Sequence, residues 1–386
     1  MAFTGKSTFT AGTNLPEIAE DVSDLVGIVS PWETPLLDAI GDAPSVAMST
    51  RHEWFEDALL PNSDTINQGG LNDSGTNTTA LTMSNASRFR VGDVVSPDGS
   101  DEVLLVTAVN TGTGVITVTR GYGASTKAAL TNTQALKIVA NAALEGADAA
   151  DARFTSRARK SNYTQIFTAT VQVSGSEAAS RQLAVENELD YQKVMRLREL
   201  LRDLENTVVN GIAHDTAPQG SSAVRRTMRG ILHTISSRIF RPGVGGFPSD
   251  TGLTEEELNA ALRAIWEEAN SRVDLIVVNG NQKRRINSFI SSLRKYSADD
   301  TTLRNLVSTY ESDFGVCKVV LSRNVPKDAV LLLDSSRLRV LPLAGRSFAF
   351  KPLANTGDYD GGEIIGEYTL EMLNESAHGA IRGLDA

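Results

Sequence analysis

Apolar and polar positions alternate from Phe89 to Ile138, and on either side of that stretch the period changes. Phe89, Val91, Val94 and Val95 precede a turn at Pro97-Asp98-Gly99-Ser100. Residues 102–109 alternate as a strand does. "NTGTG" at 110–114 has glycines free to take positive φ, which suits a hairpin turn. Val115, Ile116, Val118 and Arg120 mark the next strand, and "LKIVA" at 136–140 closes the set. Five short strands at this spacing predict a small barrel or sandwich over 84–145. Its expected core is Phe89, Val91, Val95, Leu104, Val106, Val109, Ile116, Val118 and Ile138.

Residues 49–59, "STRHEWFEDAL", predict a strand, and the polar, Gly-rich 61–80 predicts a loose connection. "NYTQIFTATVQVSGS" at 162–176 is again a plain strand. The strands near 49–60 and 162–174 therefore read as two legs of one long β-excursion, with the module inserted at its tip.

From Ser176 the period becomes helical. Val194, Leu197, Leu201, Leu204 and Val208 recur at three- and four-residue steps, which places them on one helix face. No proline interrupts 176–211, and Gly211 is a stop signal. Some thirty-five residues make a rod of roughly 50 Å, a spine with a charged opposite face.

Beyond 222 the pattern mixes helices and strands. Thr254-x-x-Glu257 is a capping box, opening a helix with Leu258, Leu262, Ile265, Trp266 and Ala269 on one side. "DLIVVNG", "GVCKVVLS" and "DAVLLLDSS" are strands, and "NQKRRINSFISSL" is a helix. "LRVLPL", "SFAFKPL" and "GEIIGEYTLEML" are late strands, with "NTGDYDGG" as the turn of a final hairpin. The fold class is α+β. At the other end, residues 1–48 predict an arm with one short helix, split at Ser30-Pro31 because proline does not sit inside a helix. Trp32, Leu36, Leu37 and Ile40 form an apolar face with no local partner, so they are expected to meet another part of the fold or another subunit.

Composition narrows the function. The 386 residues are 41% hydrophobic and 22% charged, with a net charge of −10. That balance weighs against tight, sequence-independent nucleic-acid binding, which needs several Lys or Arg on phosphates. The start of the chain carries Glu17, Glu20, Asp21, Asp24, Glu33 and Asp38 against Lys6 alone. No run reaches the roughly eighteen apolar residues of a membrane span. The single cysteine, Cys317, excludes an intrachain disulfide framework and reads as a small strand residue.

Little points to catalysis. His52, His214, His233 and His378 are scattered without metal-ligand spacing. "GVGGFP" at 243–248 lacks the Gly-Lys-Ser/Thr end of a phosphate loop, and there is no Gly-x-Ser-x-Gly elbow. No catalytic, cofactor-binding or metal-binding residue is nominated. Two basic clusters stand out: Arg225, Arg226, Arg229, Arg238 and Arg241, then Lys283, Arg284, Arg285, Arg294 and Lys295. They are a solvated face, a set of salt bridges to neighbouring copies, or a loose contact with nucleic acid. Net acidity favours the second over the third, since opposite patches on identical copies can pair.

An acidic arm, a β-excursion, a spine, an α/β part and late strands describe a tile whose neighbours must cover its apolar faces. Five segments carry a more specific resemblance: "SPWETPLLDAIG", "VGDVV…EVLLVTAV…ITVTRGYG", "ANAALEGADA", "YTQIFTATVQVSGS" and "VVNGNQKRRI". In this order, over most of residues 1–290, the chain resembles tailed-bacteriophage major capsid proteins with the Hong Kong 97 capsid fold. The resemblance implies an N-terminal arm (1–48), an extended loop (49–170) and a small β-barrel inserted in it (84–145). It further implies a peripheral domain with the spine helix (171–222), an axial domain (223–335), peripheral strands (336–375) and a C-terminal return to the axial domain (376–386). The implied function is self-assembly, as hexamers and pentamers, into an icosahedral shell around double-stranded DNA, without cofactor, enzymatic activity or membrane. The implied location is the virion capsid, assembled in the host cytoplasm. Scaffolding, portal and decoration proteins are further implied partners, and packaged DNA is touched weakly and non-specifically. An encapsulin-like compartment and, in another class, a hydrolase carrying β modules are the alternatives. The expected intersubunit contacts are Trp32, Leu36, Leu37, Arg225, Arg226, Arg229, Lys283, Arg284 and Arg285.

Overall fold

A computed structural model of the chain describes residues 34–385, apart from 42, 58, 147, 149–151, 156, 180–186, 270–271, 292–308 and 355–356. The predicted arm up to residue 33, Trp32 included, and the basic residues Arg294 and Lys295 lie outside the described residues. Strand Arg51–Glu56 leads out and strand Ala158–Tyr163 leads back, and the two pair as a ribbon. The chain forms two compact units, Phe55–Ala158 and Met1–Trp54 with Arg159–Ala386.

In the first unit six antiparallel strands form one sheet. Their order is Ser63–Thr65, Ala135–Asn141, Asp93–Pro97, Leu104–Asn110, Val115–Thr119 and Ala80–Thr82. The two outer strands meet at an Ile66–Met83 bridge. There the Asn67 amide donates to the Thr82 carbonyl at 2.8 Å and the Ser84 amide to the Thr65 carbonyl at 2.9 Å. The sheet thus closes on itself. Register shifts at Val94/Val95 and Val106/Ala108 supply the local twist that closure requires. Inward positions of alternating strands fill the middle with Leu81, Phe89, Val95, Leu104, Val106, Ile116, Val118 and Leu136. Val91, expected inside, is 63% exposed, while Val109 and Ile138 are only partly buried.

The two outer strands lie in, or start at the last residue of, the polar stretch expected to be a loose connection. They are three residues each, too short to show alternation. A buried ionic cluster fixes the chain between them. Arg120 makes a two-pronged contact with Glu102, at 2.8 and 2.7 Å, and reaches Asp73 at 2.8 Å. Amides of Thr78 and Leu130 donate to Asp73, and those of Gly121 and Ala128 donate to Glu102. Burial alone would raise both carboxyl pKa values. The hydrogen bonds from the Leu130 and Thr78 amides and from Arg120 outweigh it at Asp73, which is held at about 2. Glu102 is likewise held below the usual range against the pull of burial, chiefly by Arg120.

The second unit has two sheets. Long strand Tyr359–Met372 pairs with Gln165–Ser174 along ten residues, and with Leu338–Pro342 and Ala349–Pro352. The other sheet is mixed, in the order Ile239–Phe240, Gly379–Arg382, Ala329–Leu333, Leu275–Val278, Gly315–Leu321 and Thr309–Ser312. Its central strands, "AVLLL" and "LIVV", are buried along their whole length, as strands covered on both faces must be. Alternate residues therefore enter two cores. Leu275, Val277, Leu331 and Leu333 face Leu204 and Val208 of the spine helix. Ile276, Val278, Val330 and Leu332 pack with Leu258, Leu262 and Ile265 of helix Glu255–Ala269.

The spine helix is Glu188–Asn210, 23 residues and so about 35 Å long. It does not run unbroken from Ser176 as expected. Asn187 is extended, at φ −141°, and its side chain accepts from the Asp190 amide, an N-cap that starts the helix there. Gly175–Ala179 is a separate short helix. At the far end Gly211 meets Gly230, whose amide donates to the Gly211 carbonyl at 2.9 Å. A Cβ on Gly230 would lie 2.6 Å from the Gly211 nitrogen, so only glycine allows this crossing.

Candidate assembly surfaces

The arm helix, Pro35–Ile40, begins with proline at its first turn, where a missing amide hydrogen costs nothing. Leu36 is fully buried in the core with Leu204 and Val208, and Leu37 and Ile40 pack partly against it. The expectation that Leu36 waits for a neighbouring copy is corrected: its partners belong to its own chain, about 170 residues further on. Spacing along the chain carries no signal of so distant a contact.

On the spine, Leu204 and Val208 are buried, Leu197 is partly buried, Leu201 is half-buried and Val194 is 47% exposed. The centre of the buried face is the row Leu200, Leu204, Val208, which keeps Leu204 and Val208 of the predicted stripe and has Leu200 in place of Leu201. Val194 lies off it and is not part of the core. Leu201 lines a cleft of about 440 Å³ of mixed polarity, with Thr34 and Asp38 beside Leu37, Leu204, Val340 and Tyr368.

Sequence reasoning missed Glu205. It is fully buried in the spine helix. Its Oε2 accepts from the amides of Leu36 and Leu37, and its Oε1 from Ser322 Oγ and Asn324 Nδ2. A signal was present: Leu201, Val208 and Val209 flank it at the i−4, i+3 and i+4 positions, so this glutamate stands on the apolar face.

The basic residues divide. Arg225, Arg229 and Arg284 are exposed. Arg226 turns inward, to the Thr164 carbonyl at 2.8 Å and to Glu367 Oε1 at 2.5 Å. Glu367 is buried and also meets Arg346 at 2.8 Å. Arg226 is therefore spent inside the chain, a correction to its place in an outward cluster. Lys283 is half-buried, donates to the Val319 carbonyl, and has its pKa lowered by burial. Arg285 stands 4.0 Å from Asp385.

Large apolar side chains are exposed in both units. Phe154 (84%), Leu59 (91%), Leu144 (83%) and Phe55 (63%) stand out in the first, and Met48 (83%) and Trp266 (50%) in the second. Phe154 and Leu60 line a surface cleft with Arg153 and Arg157. Apolar exposure concentrated in this way marks contact surfaces.

Burial pushes the Cys317 thiol up to about 11. His52 pairs with Glu371 at 2.6 Å, and buried His378 accepts from the Asp334 amide. Among the described residues no three His, Cys, Asp or Glu could hold a metal ion, and no helix is long and apolar enough to cross a membrane.

Comparison with known proteins gives the same direction. The family described as SU10 major capsid protein matches residues 3–385. No protein with a curated description matches the chain. Among solved structures, the chain is similar to one in the capsid asymmetric unit of cyanophage A-1(L), at 13% identity and a TM-score of 0.52, covering 96% of this chain and 98% of that one. It is also similar to a chain of Gordonia phage Cozz, at 11% identity and a TM-score of 0.51, covering 96% and 92%. At such identities the likeness is one of fold, and the fold is of the Hong Kong 97 type. An encapsulin from Synechococcus elongatus PCC 7942 aligns over 60% of the chain and 78% of its own, at 10% identity and a TM-score of 0.43.

Proposed function

The chain belongs to the SU10 major capsid protein family, and from that premise we propose that its copies close, as hexamers and pentamers, into an icosahedral shell around double-stranded DNA. The observation that carries the reading is a family match over nearly the whole length of a chain that leaves Phe55, Leu59, Leu144 and Phe154 open to solvent. Burying them between copies contributes part of the apolar area that obligate interfaces need, commonly about 2,000 Å² or more.

Side-chain exposure supports the following roles. Arg225, Arg229 and Arg284 are the basic residues positioned to meet acidic faces of neighbours. Trp32 and Leu37 are proposed contacts of the arm with another copy. Contact with packaged DNA is weak and non-specific, in keeping with the net charge of −10. Scaffolding, portal and decoration proteins are proposed partners, and assembly is proposed to take place in the host cytoplasm. The closed-sheet unit is proposed as an insertion in the extended loop, standing on the outer face of the shell.

Light scattering and electron microscopy of the purified chain test the reading. Closed megadalton particles support it. A stable monomer or dimer under all assembly conditions overturns it.

A further inference from the structure

Arg153, Phe154 and Arg157 line a surface cleft of about 670 Å³ with Asp57, Leu60 and Thr155, all within the unit Phe55–Ala158. Residues 59–61 and 152–155 lie in neither helix nor strand. Side-chain bonds hold this irregular chain in place. Arg153 Nη2 donates to the carbonyls of Ser87 at 3.0 Å and Arg88 at 3.2 Å, and Thr155 Oγ1 donates to Asp57 Oδ2 at 2.8 Å. The carboxylate of the cleft is therefore engaged by a hydroxyl. Among the described residues no carboxylate pairs with Arg153 or Arg157. Beside these cations Phe154 is 84% exposed and Leu60 43% exposed. An aromatic ring left in water next to unpaired cations, in a chain of net charge −10, fits a partner that is both apolar and acidic.

The chain carries such a partner in its own sequence. Residues 15–29, "LPEIAEDVSDLVGIV", precede the described residues. Leu15, Ile18, Val22, Leu25 and Val29 recur at alternating three- and four-residue steps, the spacing of one helical face. Glu17 and Asp21 are four positions apart, at the spacing that sets them along one edge of that face, with Glu20 and Asp24 beyond. No Lys or Arg occurs between Lys6 and Arg51, so nothing nearby in the sequence neutralises these acids.

We propose that the Arg153–Phe154–Arg157 cleft of one copy is the docking site for residues 15–29 of another. Leu60 and Phe154 take the apolar row, and Arg153 and Arg157 pair with the carboxylates at its edge. Each copy then gives one acidic segment and receives one, the head-to-tail pattern that closes rings. The use of this contact in a shell rests on the function proposed above; the binding itself does not.

The test uses the full-length, unassembled chain carrying Ile18→Asp and Val22→Asp, so that its own arm does not compete for the cleft. A fluorescently labelled peptide of residues 15–29 is titrated into it and followed by anisotropy. We expect saturable binding, at least tenfold tighter than that of a scrambled peptide of the same composition. Phe154→Ala should weaken it at least tenfold; the side chain is exposed, so its loss leaves the fold intact. Arg157→Glu should weaken binding several-fold, and a peptide carrying Glu17→Arg and Asp21→Arg should recover it. A photo-crosslinking residue at position 154, in a mixture of two isotopically distinguished wild-type chains, should join position 154 of one chain to residues 15–29 of the other.

Equal binding of the scrambled peptide, indifference to Phe154→Ala, or no recovery with the charge-reversed peptide overturns the proposal. So do crosslinks confined to single chains, and so does a DNA oligonucleotide that displaces the peptide and binds more tightly, which would make the cleft a nucleic-acid contact. Particles formed by a chain whose cleft ignores the peptide leave the shell reading standing and remove the dock. A chain that binds the peptide as described but never forms particles does the reverse.

Discussion

Arg120 follows a strand whose alternation sets it on the inward face with Ile116 and Val118, and its side chain is buried with both carboxylates it binds. Such a cluster is tolerable because backbone amides fill the remaining lone pairs of Asp73 and Glu102, offsetting much of the desolvation. Removing the cation alone strands two buried anions. Arg120→Ala should therefore destabilise residues 55–158 by about 3–5 kcal/mol, read from the global exchange of buried amides at Leu104 and Val106. The Asp73 contribution has a defined acid limit. Its folded value of about 2 lies below the unfolded 3.8, so the stabilisation is complete above about pH 4 and is lost as pH falls towards 2. His378 works in the other direction from neutrality. Burial lowers it from 6.5 to about 4, so between those values the unfolded chain holds a proton that the folded chain refuses. Stability should drop by about 2 kcal/mol between pH 7 and 5. Denaturant titrations of His378→Gln, which has no such proton to refuse, should show a correspondingly smaller drop. None of these partnerships was legible in the sequence, because each joins residues 18 to 47 positions apart.

Periodicity served well where an element was long. The spine face was legible to within one residue, and the central strands of the α/β sheet read directly as unbroken apolar runs. It failed where an element offered too few residues to display a period, as in Ser63–Thr65 and Ala80–Thr82. It also overran the start of the spine: the absence of proline favoured continuity, while Asn187, a strong cap followed three residues later by Asp190, marked the true beginning. The corrected register makes a direct comparison possible. Leu204→Ala should cost about 2–5 kcal/mol, as truncation of a fully buried leucine does. Val194→Asp, on the exposed side of the same helix, should change stability by about 0.5 kcal/mol or less. Equal losses in thermal or denaturant unfolding would show that the buried row is not Leu200, Leu204, Val208.

For the molecule as a whole, the order of elements was more legible than their contacts, and assembly was legible mainly as apolar surface without a home. The unit Phe55–Ala158 has its own core and its own ionic cluster, and so carries its stability within itself. Replacing residues 57–157 with a short Gly-Ser linker should leave the remaining sheets folded, with native near-ultraviolet circular dichroism. The particles formed should lose integrity at a lower temperature, because the exposed side chains Leu59, Leu144 and Phe154 go with the deleted segment. Unchanged particle melting by differential scanning calorimetry would show that the unit adds nothing to shell strength. The paired strands Arg51–Glu56 and Ala158–Tyr163 bring the entry and exit of this unit side by side. A ribbon of that kind is a socket: it accepts any cassette whose own ends meet. A lineage could exchange one cassette for another without rewriting the gene around it, and an engineer could seat an antigen or an enzyme at the same two residues, displayed once per subunit.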